Sequence, residues 1–271
     1  MLIATNRVSN EPEFAPEPMH VAGVPVVPFE SYDQALACIE TTIEAGRKTF
    51  WVAINPQKCF RAWHESDLLN ILNQADVGIC DGVGVSIAAR ILHGQRIKRC
   101  TGCDLFFKIL PLAAKKGWRV FMLGASAESN TRARKKLEQM FPDLKIVGNE
   151  CGFFDDSASV IERINSSEAD LLFVAMGSPR QEYWICEHRN EINASFCMGV
   201  GGSFDIASGT IHRAPKIFRK TGTEFLFQLV TEPHKRWKRQ KVYLPFMLRI
   251  IAKRLTGSRE PSQWAVKPVR Q

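Results

Sequence analysis

No stretch of this chain offers the roughly 18 uncharged apolar residues that a membrane-spanning helix needs. The longest late candidate, Val242 to Leu248, runs through Pro245 and stops at Arg249. The amino-terminal MLIATNRVSNEPEF lacks a cationic region followed by an apolar one, so it does not read as a secretory signal. Two nucleotide fingerprints are missing as well. No Gly-Lys-Ser/Thr closes a P-loop, and Gly82-Val83-Gly84 meets Ile87 where G-x-G-x-x-G requires its third glycine. Gly199-Val200-Gly201 fails in the same way at Phe204. NTP hydrolysis and conventional NAD binding are both weakened by these gaps. Cys100 and Cys103 form a C-x-x-C pair, but no second pair or nearby histidine couple completes a tetrahedral zinc set. The eight cysteines are scattered, as suits a chain that keeps its thiols reduced. The expectation is a cytoplasmic protein, soluble or peripheral, without a metal.

What is present is enough for one sizeable core: 271 residues, 45% hydrophobic. Thirty-six basic against 28 acidic residues leave +8, which points to an anionic partner without choosing among nucleic acid, membrane and phosphorylated substrate. Residues 1–20, rich in Glu, Pro and Asn, read as a flexible leader. Beyond them, strand-like runs lie at 24–27, 49–53, 77–80, 118–123, 145–148, 171–175 and 196–200. Amphipathic stretches at 32–45, 67–74, 105–116, 129–140, 158–166 and 181–191 separate most of them. The alternation predicts an α/β domain, a Rossmann-like, largely parallel sheet with helices on both faces.

In such sheets ligands bind beyond the carboxyl ends of the strands. Those ends read Asn55, Asp81-Gly82-Val83-Gly84, Gly124-Ala125-Ser126, Gly177-Ser178-Pro179-Arg180-Gln181-Glu182 and Gly201-Gly202-Ser203-Phe204-Asp205. Any one glycine there could simply turn the chain. Five small or polar strand ends at one edge suggest a phosphate-bearing ligand, because glycine lets backbone amides approach an anion.

From Glu232 to Leu255 the chain reads EPHKRWKRQKVYLPFMLRIIAKRL, with eight Lys or Arg against one Glu and a bulky apolar complement. Cations beside an apolar face suit the headgroup boundary of an anionic membrane, each worth about 1 kcal/mol there. A nucleic-acid arm would not need the aliphatic surface. A terminal helix docked on the core is the other alternative.

Taken in order, Asn55, DGVG (81–84), RCTGCDL (99–105), FMLG (121–124), GFF (152–154), GSPRQE (177–182), GVGGSFD (199–205), RAP (213–215) and TEPHKRW (231–237) resemble the WecG/TagA/CpsF family of glycosyltransferases, across about residues 22–243. The resemblance implies an inverting, metal-independent enzyme without a cofactor. It implies transfer of a hexose-type sugar from a UDP donor to an undecaprenyl-diphosphate-linked saccharide, at the inner face of the cell membrane. It further implies a homo-oligomer whose interfaces yield at the membrane. By position, Asp81 matches the family's proposed catalytic base and Arg99 an arginine facing the donor or the attacked centre. Asn55 and Gln181 match pocket residues, and the turn from Gly177 through Pro179 to Glu182, with Gly82 and Gly124, would hold the donor. Lys235, Arg236, Lys238 and Arg239 would help neutralise the departing diphosphate. The boundaries that follow are a leader at 1–20, a core at 21–222, a basic membrane-associating appendage at 223–256 and a tail at 257–271.

Three departures from the family pattern stand out: Ala53 where many members have threonine, and Gln228 and Lys235 where arginines are common. They bear on which sugar is used and which cation meets the diphosphate. Two rival classes remain at this point. One is a Rossmann-like nucleotide-dependent oxidoreductase; the other is a non-enzymatic module that binds a membrane or nucleic acid through its tail.

Overall fold

The computed structural model describes residues 15–211, 214, 215, 218 and 241–256. Six strands form one sheet: β3 (Thr49–Ile54), β4 (Val77–Cys80), β5 (Arg119–Gly124), β6 (Lys145–Glu150), β7 (Leu171–Ala175) and β8 (Phe196–Gly199). Their order is β4-β3-β8-β7-β5-β6, and every pairing is parallel. The α/β expectation is met. The run at 24–27 does not join this sheet as a strand. β1 (Met19–Val21) and β2 (Val24–Val26) make a separate antiparallel hairpin, tied to the main sheet by an isolated bridge from Val27 to Ile79.

Both faces of the sheet are covered, so its strands are apolar without alternation. Phe50, Val52, Ile54, Phe121 and Leu123 belong to one core layer; Trp51, Ala53, Val120 and Met122 belong to the other. Among the described residues the helices are α1 (Tyr32–Glu44), α2 (Pro56–Ala62), α3 (Ser66–Gln74), α4 (Val83–His93), α5 (Gly102–Lys116), α6 (Ala127–Met140), α7 (Ser157–Ser166), α8 (Arg180–His188), α9 (Ser203–Ser208) and α10 (Tyr243–Thr256). Helices α2 and α4 fall in stretches to which the sequence pattern assigns no helix. Pro56 is the first helical residue of α2, where its missing N–H costs nothing. Gly84 is forced by crowding: a Cβ there would lie 2.4 Å from the Pro56 ring.

The two edges of the sheet differ. At the amino edge, carboxylates are spent holding strands: Asp76 accepts from the Phe50 amide (2.7 Å) and from Arg189 (3.0 Å), and Asp170 accepts from the Arg119 amide (2.7 Å). The carboxyl edge carries the residues singled out above.

Helix α10 docks through Phe246 and Ile250, both sealed from solvent, onto α4 and α2. Phe246 stacks on Trp63 at 5.4 Å, and the Arg249 guanidinium lies 4.4 Å from the same ring. Its other face is bare: Leu244, Leu248, Ile251 and Leu255 are 69, 58, 43 and 81% exposed. Among the described residues no helix is long and apolar enough to cross a membrane.

Candidate functional site

The chain leaves β5 toward β6 on one side and β7 toward β8 on the other, so the β5/β7 boundary is the topological switch point of the sheet. Two loops meet above it. Gly124-Ala125-Ser126 leads into α6, and Gly177-Ser178-Pro179 leads into α8. Gly177 and Ser178 are exposed, and at Gly177, Gly201 and Gly202 a Cβ would meet nothing within 4 Å. The edge is therefore open above β7 and β8.

Gly124 has a different explanation. Its φ is +127°, and a Cβ would lie 2.5 Å from the Ala175 carbonyl carbon, so glycine is required by β7 whatever binds above. Gly124→Ala combines a disfavoured backbone with overpacking, each typically 1–3 kcal/mol. We expect a loss of about 3 kcal/mol or more in urea unfolding.

At the far end, β4 and β3 deliver Asp81 and Asn55. The Asp81 amide donates to Ile54 O (2.8 Å), fixing the two strand ends side by side. Asn55 caps α2, its Oδ1 accepting from the Lys58 amide at 3.0 Å, and its side chain also bonds the Asp81 carboxylate. The Gly102 amide at the start of α5 bonds that carboxylate too, and the charges of Lys58 and Arg99 act on it. Burial nonetheless wins, holding the Asp81 carboxyl above the usual carboxylate range against those four stabilising partners. A carboxylate so placed is a better proton acceptor than one in water. Beneath it, burial and the Asp81 charge push the Cys80 thiol up to about 12 and the Cys100 thiol up as well.

Two neighbours of Asp81, and one residue at the opposite end of the edge, have no role assigned from the sequence. Lys58 is 5% exposed, and its Nζ donates to Ala53 O and to Glu182 Oε1, both at 2.7 Å. The spacing from Asn55 to Lys58 was the available signal, since residues three apart share a helix face. Tyr243, at the start of α10, lies near enough for the Asp81 charge to act on it; burial first and that charge second push its phenol up to about 12. Phe153, in the GFF segment after β6, is 74% exposed.

Gln181 and Glu182 lie in the first turn of α8, not in the turn before it. Gln181 is almost fully buried, donating to Glu182 Oε1 (2.8 Å) and accepting from the Gly201 amide (3.0 Å). Its amide packs so closely on β8 that a Cβ at Gly199 would lie 2.4 Å from Nε2. Thus Asn55, Asp81, Gly82, Arg99, Lys58 and Glu182 gather at one end of the edge, while Gly177, Pro179 and Gly124 flank the switch point. Gln228, Lys235, Arg236, Lys238 and Arg239 lie outside the described residues.

The profile of the glycosyl transferase WecG/TagA/CpsF family matches residues 19–260. The chain belongs to that family. It is a glycosyltransferase, and its relatives have the same standing. Proteins of Bacillus spizizenii, Bacillus subtilis and Staphylococcus aureus, each named N-acetylglucosaminyldiphosphoundecaprenol N-acetyl-beta-D-mannosaminyltransferase, are 32, 31 and 34% identical to it. The first aligns over 82% of this chain and 86% of its own length; the second over 73 and 77%, and the third over 70 and 73%. The glycosyltransferase thus carries its open edge and its half-enclosed aspartate on a chain that aligns with these enzymes over 70–82% of its length.

Proposed function

We propose that this glycosyltransferase is an inverting, metal-independent enzyme of cell-surface polysaccharide synthesis. It moves a hexose-type sugar from a UDP donor to an N-acetylglucosaminyl-diphosphoundecaprenol acceptor. The acceptor follows the names of the relatives. The observation that carries the reading is Asp81, a carboxylate raised by burial at the open carboxyl edge, with Asn55, Arg99 and Lys58 around it.

In this reading Asp81 takes the proton of the acceptor hydroxyl as that oxygen attacks the anomeric carbon. The bond from that carbon to the diphosphate breaks, UDP departs, and the configuration inverts. The backbone at Gly177–Pro179 and the loop after Gly124 face the diphosphate at the switch point. Because the Gln181 and Glu182 side chains are spent inside the protein, this turn serves the donor through its backbone. Arg99 and the appendage cations Lys235, Arg236, Lys238 and Arg239 balance the leaving charge. The core at 21–222 performs the chemistry, and the appendage at 223–256 meets the anionic inner face of the membrane.

Strands about 4.8 Å apart put β6 and β4 roughly 24 Å from each other. The donor lies along that edge, its sugar toward Asp81 and its base toward β6. Exposed Phe153 is placed there to stack on the base, a contact worth ~1–3 kcal/mol. Phe153→Ala should therefore weaken UDP binding roughly 5- to 150-fold, read by calorimetry, with little change in thermal unfolding because the side chain is exposed.

The test of the reading as a whole is a panel of UDP-sugars with a synthetic polyprenyl-diphosphate-linked N-acetylglucosamine, in the presence of EDTA. One donor should give product of inverted anomeric configuration. Retained configuration, or transfer only on adding a divalent cation, would refute it.

A further inference from the structure

Among the described residues only two charged side chains are buried, Lys58 and Glu182, and they are partners at 2.7 Å. Their geometry is lopsided. Lys58 is tied on one side to Glu182 Oε1 and on the other to the carbonyl of Ala53, at the end of β3. Glu182 Oε1 also receives Gln181 Nε2, while Oε2 has no hydrogen-bond partner among the described residues. Enclosing two charges costs several kcal/mol per ion before their attraction is counted, and well-packed apolar residues would often serve stability as well or better. A buried pair that leaves one carboxylate oxygen unsatisfied is thus poorly explained by stability.

Its location supplies the explanation. The ammonium sits on the carbonyl of Ala53, and the next carbonyl, of Ile54, receives the Asp81 amide at 2.8 Å. Glu182, reaching up from α8, holds the ammonium at that spot. We propose that Lys58 is a positioning residue for the transfer reaction, its charge clamped by Glu182 beneath β3 so that Asp81 is ionised and ready to accept a proton near neutral pH. The proposal rests on Asp81 being the base.

Among the described residues, the charged or titratable groups that act on Asp81 or feel its charge come from four elements. From α2 comes Lys58; from the segment before α5 come Arg99 and Cys100. Cys80 belongs to its own strand, and Tyr243 comes from α10. Of these, Lys58 and Arg99 favour the ionised form, Lys58 the more strongly. The two thiols and the phenol are held protonated by burial, so they add no opposing charge at neutral pH.

The experiment follows the Asp81 carboxyl in the full chain by carbon-13 NMR with carboxyl-labelled aspartate, its resonance identified by loss in Asp81→Asn. Lys58→Met alone strands a buried Glu182 and is expected to unfold. The decisive protein is therefore Lys58→Met/Glu182→Gln, which removes both charges. Its Asp81 midpoint should lie at least one pH unit above that of the wild type. In Glu182→Gln the amide oxygen can still hold the ammonium beside Ala53 O while the opposing charge is gone, so the midpoint should move down. An unmoved midpoint in the double variant, or a rise in Glu182→Gln, overturns the proposal. Transfer by Asp81→Asn separates the two readings. If it persists, Asp81 is not the base, whatever the titrations show. If it is lost while the double variant titrates like the wild type, only the role of Lys58 falls.

Discussion

Asp81→Asn is expected to reduce transfer by ~10²–10⁴-fold, the usual span for loss of a general base, and to unfold at a higher temperature than the wild type. The second half follows from the direction of the carboxyl shift. Burial raises the Asp81 pKa in the fold above the value near 3.9 that it has in the unfolded chain. Between those two values the folded protein binds a proton that the unfolded chain has released, so stability falls as pH rises through that window. Above it, the folded state carries the full penalty of a half-enclosed carboxylate. Asparagine bears none of this. The stabilisation by Asp81→Asn should thus be small near pH 4 and grow to a plateau as pH rises, as read by thermal unfolding across pH. An aspartate that serves only to shape the turn would give the opposite result, since losing it would lower the unfolding temperature and leave transfer nearly intact.

The second large effect is expected at the membrane. Leu244, Leu248, Ile251 and Leu255 recur at helical spacing along the bare face of α10, with Lys253 and Arg254 at its end. Replacing Leu244, Leu248 and Leu255 by serine removes three side chains, each worth about 1.5–3 kcal/mol when fully buried. Even with partial insertion the loss should reach roughly 3 kcal/mol, on the order of a hundredfold in binding to phosphatidylglycerol vesicles. Because these side chains are exposed in the fold, unfolding should shift by no more than about 0.5 kcal/mol. Phe246→Ala makes the contrast, since it removes a sealed side chain stacked on Trp63 and should cost about 3–5 kcal/mol of stability. Vesicle binding that survives the triple change would mean that α10 is only a docked terminal helix. Binding that vanishes in high salt without the triple change would assign the contact to the cations alone.

Much of the sheet is legible in the sequence because its strands are buried on both faces and read as unbroken apolar runs. The carboxyl edge is legible for the same reason, as each run ends at a small or polar residue. What escaped is what punctuation hides. Pro56, Gly82 and Gly84 look like a succession of turns, yet they start one helix and seat another against it. The strands of the hairpin, three residues each, are too short to show a period, and its turn depends on Ala22 and Gly23 both at positive φ. For Gln181 and Glu182, a place after a strand says nothing of depth. Their burial comes from α8 packing against β8 and α3, a tertiary fact. At Lys58 the sequence suggests only a solvated lysine, and the fold alone shows that Glu182 encloses it.

The claim on which the rest depends is that the open edge from Asp81 to Phe153 is a UDP-sugar site. Calorimetric titration of UDP into the full chain, with EDTA throughout, tests it most directly. The account predicts saturable binding near one nucleotide per chain, clearly weaker in Phe153→Ala. A wild-type protein that folds cooperatively and shows no UDP binding under those conditions would contradict it.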